Sequence, residues 1–140
     1  MLFNFWWICG YSQENKRIIE ICDSLLGKKV GGGNCGEFVL YVLNEVYGKN
    51  KYPHWGVLYR NKPFIPYLQA GDNIIIKKAF VAKEGNIMMV FKKHSAIVYH
   101  VIDDCRIALI HQSKGMNVCI EKFNFCGGRG KIKVIISDQN

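Results

Sequence analysis

The sequence predicts an α+β domain, with N-terminal helices packed on an antiparallel sheet of about five to six strands. Three observations carry that prediction. Apolar residues recur at helical spacing in two stretches before Gly48. After Gly71-Asp72 they fall instead into short β-branched runs separated by Gly, Asn, Asp or Lys. Helices first and strands afterwards is the order of a sheet covered on one side.

Each element has a local reason. In SQENKRIIEICDSLLGKK, Ser12 is a good N-cap, the apolar stripe runs through positions 18, 19, 21, 22, 25 and 26, and Gly27 ends the helix. Gly31 to Gly33 form a loop. From Cys35 the apolar positions 38, 39, 42, 43 and 46 define a second helix, which Gly48 closes. Residues 49–70 hold all three prolines together with Trp55, Tyr59 and Tyr67, and read as an irregular loop. The runs NIIIKKAFVA, NIMMVF, HSAIVYHVI, RIALIHQ, NVCIEKF and KIKVIIS read as strands. VIDDCRIA reads as a hairpin with Asp103-Asp104 at its turn.

The 140 residues suit one domain, 1–140, with 1–11 an apolar N-terminal segment. That segment, MLFNFWWICG and its neighbour, has neither the basic start nor the small-residue cleavage site of a signal peptide. It is also too short to span a bilayer, so no membrane span is expected. The net charge of +8 comes from scattered lysines rather than a basic tail. Such a field favours anionic partners, or simply keeps the surface solvated. A nucleic-acid partner is not expected, because no basic helix stripe and no aromatic ribonucleoprotein motif is present. A monomer is expected.

Six cysteines allow three disulfides, but several lie in apolar segments such as IIEICDSLL, where a free thiol behaves as a small hydrophobe. Mostly reduced thiols are therefore expected. No pair has the usual zinc-ligand spacing, so neither a metal nor a cofactor is expected.

Cys35 stands between a glycine loop and the start of a helix. Unpaired N–H groups and the helix dipole there favour the thiolate, the form that attacks carbonyls. The same position also suits a small buried residue. A nucleophilic thiol needs a base. His94, placed at the start of a strand, and His111, at the end of the next, fall toward the same end of the 94–111 hairpin, while His100 falls nearer the turn. His94 is the candidate base and His111 the group that orients it. Glu37 is either a substrate contact or a first-turn carboxylate complementing the helix dipole.

KRIIEICDSLLGKKVGGGNCGEFVLYVL resembles the opening of NlpC-type and CHAP-type cysteine peptidases and amidases of the papain-like group. NCGEFVLYV is similar to the CHAP nucleophile segment, AGDNIII to the Gly-Asp strand before the histidine, HSAIVYHV to the histidine strand, and ALIHQSKG to the strand bearing the third catalytic group. The resemblance covers roughly residues 16 to 120. It differs in Gly-Glu after Cys35, where the family has Ser-Gly, and in Val30, where many members have tyrosine. It implies a papain-like fold, Cys35 as nucleophile, His94 as base, His111 as third group and Asn34, beside the nucleophile, as an oxyanion donor. It further implies amide hydrolysis on a peptide or peptidoglycan substrate, and a protein secreted or delivered to the cell wall. The competing expectation is a papain-fold module that binds cell wall or a partner without chemistry.

Overall fold

The structure is a computed structural model, and it describes residues 13–49, 65–83, 87–126 and 130–134. The apolar 1–11 segment, the Ser12 cap, Cys9, His54, Trp55 and Tyr59 lie outside the described residues. Helices α1 (Gln13–Leu25) and α2 (Cys35–Tyr47) precede a single 3-10 turn (Ile65–Tyr67). Strands β1 (Asn73–Lys83), β2 (Ile87–Val101), β3 (Arg106–His111), β4 (Cys119–Asn124) and β5 (Gly130–Val134) follow. The domain is α+β, as the order of patterns predicts.

Helix α1 buries Ile18 and Cys22, one turn apart on the predicted stripe. Burial pushes the Cys22 thiol pKa up, with Asp23 adding to the rise, so this cysteine stays protonated and packs as a hydrophobe. Helix α2 buries Phe38, Val39, Val42 and Leu43. It ends at Gly48, whose φ of 87° is one that residues with a Cβ rarely adopt.

The strands pair antiparallel in the order β1–β2–β3–β4, and β4 returns to β1 at Ala82–Asn124 and Lys83–Phe123. These four strands curl into a nearly closed sheet, and β5 adds five residues along β1. One expectation about the strands is corrected. NIMMVF and HSAIVYHVI are not separate strands but one, β2, fifteen residues long. His94 therefore lies inside a strand rather than at its beginning. No turn residue breaks the stretch between them, because Phe91 and Lys93 continue the pairing with β1.

Strand alternation sorts the core into two clusters. Ile74, Ile76, Ala96, Val98, Ile107, Leu109 and Phe123 face inward among the strands. Ile97 and Ile110, directly paired across β2 and β3, face the other way and pack with Ile18, Cys22, Phe38, Val39 and Val42 of the helices. Burying a Phe or Ile side chain contributes about 1.5–3 kcal/mol, so this second cluster fixes α2 on the back of the hairpin.

The Gly71-Asp72 corner locks α1 to the sheet. Gly71 has φ 93°, and a Cβ there would lie 2.7 Å from the Asn15 carbonyl oxygen. The Asn15 side-chain amide donates to Ala70 O (3.1 Å) and to Asp72 Oδ1 (2.9 Å), while Asp72 Oδ2 accepts from Gln69 N (2.8 Å). Burial raises the pKa of the Asp72 carboxyl, against the lowering effect of those hydrogen bonds.

Cys105 and Cys126 form a disulfide. The bond joins the residue before β3 to the chain just after β4, and Phe125 N bonds Cys105 O at 2.8 Å beside it. The expectation of mostly reduced thiols is corrected for this pair. The β3–β4 hairpin brings the two chain segments side by side, which sequence spacing alone does not show. Cys22, Cys35 and Cys119 carry free thiols.

Candidate active site

Cys35 is the first residue of α2 and is half-buried. Asn34 caps the helix: with extended backbone (φ −93°, ψ 162°), its side-chain oxygen accepts from Glu37 N at 2.8 Å. The Asn34 amide donates in turn to the Glu37 carboxylate, which also accepts from Gly32 N. This is a capping box extended to the glycine loop. It assigns both residues. The Asn34 side chain is engaged in the cap through both its oxygen and its amide, and the first-turn backbone N–H groups lie beside Cys35. Glu37 acts as a clamp on the loop. Gly31 (φ 55°) is required there, because a Cβ would come within 1.8 Å of a Glu37 carboxylate oxygen.

His94 and His111 are brought together. Ile97 pairs with Ile110, so His94 lies diagonally across from His111, within reach of aromatic side chains. His94 Nε2 and His111 Nδ1 are 2.7 Å apart, with the rings edge to face. His111 Nε2 lies 3.1 Å from Glu121 Oε1. A carboxylate only accepts, so His111 donates from Nε2, its Nδ1 accepts, and His94 donates from Nε2. That chain leaves the lone pair of His94 on Nδ1. Both rings are buried, and His111 packs edge-on against Phe123 at 5.8 Å. Burial lowers the His94 pKa to about 4; His111 adds to the fall and Glu121 opposes it. His94 is thus neutral near pH 7, as a base must be. His100 pairs with Ala108 toward the turn and is exposed, apart from this group.

The helix start and the histidine pair are linked through Gln112. This side chain is fully buried; its oxygen accepts from Val30 N (2.7 Å), and its amide donates to Val30 O (2.8 Å) and Asn34 O (3.0 Å). Gln112 therefore fastens the residue before Cys35 to the residue after His111. Among the described residues the Cys35 thiol makes no hydrogen bond to either ring. No family model, no curated protein and no solved structure matches the chain.

Sequence reasoning missed three residues here. Gln112 follows His111 directly, but nothing local marks a glutamine as a loop tie. Glu121 and Cys119 fall on one face of NVCIEKF by alternation, and the pairing of His111 with Cys119 puts that face beside the imidazoles. The alternation was legible; the register was not.

Proposed function

We propose that the chain is a papain-like cysteine hydrolase of the NlpC/CHAP type that cleaves amide bonds, with peptidoglycan peptides or their amide link to sugar as the substrate class. The observation that carries this reading is the Glu121–His111–His94 relay, whose tautomers leave a neutral His94 with its basic nitrogen at Nδ1. The motif order around Cys35, Gly71-Asp72, His94 and His111 supports it, and so does the Gln112 tie between the two halves of the site.

In this mechanism His94 Nδ1 takes the Cys35 proton and the thiolate attacks the amide carbonyl. Backbone N–H groups at the start of α2 receive the oxyanion; a donor of this kind is worth about a hundredfold or more in rate. His94 then protonates the leaving amine and activates water against the acyl-enzyme. His111, held by Glu121, keeps the His94 ring in the required tautomer. The mechanism requires the Cys35 thiol to reach His94 Nδ1 in the Michaelis complex, with His94 on the Ala96–Val98 face of β2 and α2 packed on the Ile97 face.

The deciding experiment is digestion of purified peptidoglycan with mass spectrometry of the released fragments, for the native protein and for Cys35→Ala. Fragments from the native protein alone support the reading. Equal digestion by a folded Cys35→Ala protein removes it, and the absence of digestion and of selective Cys35 alkylation in the native protein leaves a binding module in its place.

A further inference from the structure

We propose that His111, Cys119 and Glu121 form a binding site for a zinc-like divalent cation, and that filling it switches the hydrolase off. The first half stands on geometry alone; the second rests on the reading of His94 as the base.

The three side chains come from facing positions. His111 pairs directly with Cys119 across β3 and β4, and Glu121 lies two residues along the same face. One ligand atom from each falls within 4.8 Å of the other two. His111 Nε2 is 3.1 Å and Cys119 Sγ 3.6 Å from Glu121 Oε1. With metal–ligand bonds of about 2.0–2.3 Å, a tetrahedral zinc site holds its ligands roughly 3.3–3.8 Å apart. Two of the three spacings are close to that range, and a central ion would draw the third pair, His111 Nε2 and Cys119 Sγ, in from within 4.8 Å. One nitrogen, one sulfur and one carboxylate oxygen make a mixed set that suits Zn²⁺ better than Ca²⁺ or Mg²⁺. Cys119 and Glu121 are only half-buried, so an ion can reach them, and a water completes the tetrahedron.

The outer contact is also present. A metal-bound histidine donates its second ring N–H to a neighbour, and His94 Nε2 stands 2.7 Å from His111 Nδ1. This contact makes the site a switch. With no ion, His111 carries its proton on Nε2 and His94 donates from Nε2. An ion on His111 Nε2 moves that proton to Nδ1, which must now donate to His94 Nε2. The His94 proton shifts to Nδ1, the nitrogen that has to accept from the thiol. The two rings keep two protons throughout, and the proton released is that of the Cys119 thiol.

The test uses the full chain and Co²⁺ as a spectroscopic probe, with Zn²⁺ as competitor. A thiolate-to-cobalt charge-transfer band is expected in the native protein and in Cys35→Ser, removed by Zn²⁺, and lost in Cys119→Ser and weakened in Glu121→Gln. Circular dichroism checks that each variant folds. No band in the native protein, or a band that survives Cys119→Ser and disappears in Cys35→Ser, overturns the site. Iodoacetamide labelling of Cys35 reads the second half: Zn²⁺ should slow it in the native protein and not in Cys119→Ser. A cobalt band with unchanged labelling overturns the switch and leaves the site. The band is read without any substrate, so its outcome is independent of whether peptidoglycan is cleaved.

Discussion

Replacing Gln112 with alanine tests how the site is assembled. The native side chain satisfies Val30 N–H, Val30 C=O and Asn34 C=O through bonds of 2.7, 2.8 and 3.0 Å. Water can take over at Asn34, which is exposed. The two Val30 groups are buried and lose their partner. A buried polar group without a partner costs about 1–3 kcal/mol, so Gln112→Ala should destabilise the fold by about 3–4 kcal/mol. With a urea dependence of about 2 kcal/mol per molar, the unfolding midpoint should fall by about 1.5–2 M. The same change frees the loop before Cys35, so alkylation of Cys35 should lose any selectivity over Cys119. Gln112→Glu sharpens the test. Its carboxylate can still accept from Val30 N–H but faces two carbonyl oxygens, so its destabilisation should be largest at neutral pH and ease as the carboxyl protonates. A loss under about 1 kcal/mol for Gln112→Ala, with Cys35 reactivity unchanged, would refute the view that this glutamine holds the site together.

Three further outcomes are expected. The His94 pKa is about 4 in the fold against an ordinary 6.5, so between those values the unfolded chain binds more protons and stability falls as pH falls, by up to about 3 kcal/mol below pH 4. Thermal melts of native protein and His94→Gln from pH 7 to 4, in chelator, check this; Asp72, whose raised pKa acts in the opposite direction, is common to both proteins, and equal slopes would contradict the assignment. Gly31→Ala should force the Glu37 carboxylate off the loop and destabilise the protein by about 1–2 kcal/mol, with slower Cys35 alkylation, because both the cap and a left-handed backbone position are lost. Reducing the Cys105–Cys126 bond, which spans 21 residues, should lower stability by about 3 kcal/mol on the loop-entropy model, seen as an earlier urea midpoint for Cys105→Ala/Cys126→Ala.

The sequence by itself determined the fold class, the two helices with the faces they bury, the hairpin turn at Asp103, and Cys35 at a helix start. These are local matters. Periodicity decides which face of a helix or strand is apolar, a small polar residue caps a helix, and a glycine ends one. Glu37 as a first-turn carboxylate was legible in the same way; the Asn34 cap and the Glu37 bond to the glycine loop came with the structure. The tertiary structure alone decided the length of β2, the Cys105–Cys126 bond, the Gln112 tie and the addition of Cys119 and Glu121 to the His94–His111 pair that the hairpin already suggested. Each depends on which residues of different strands stand opposite one another. Pairing register follows from how the whole sheet curls and packs, and a slip of one residue would turn these side chains to the other face.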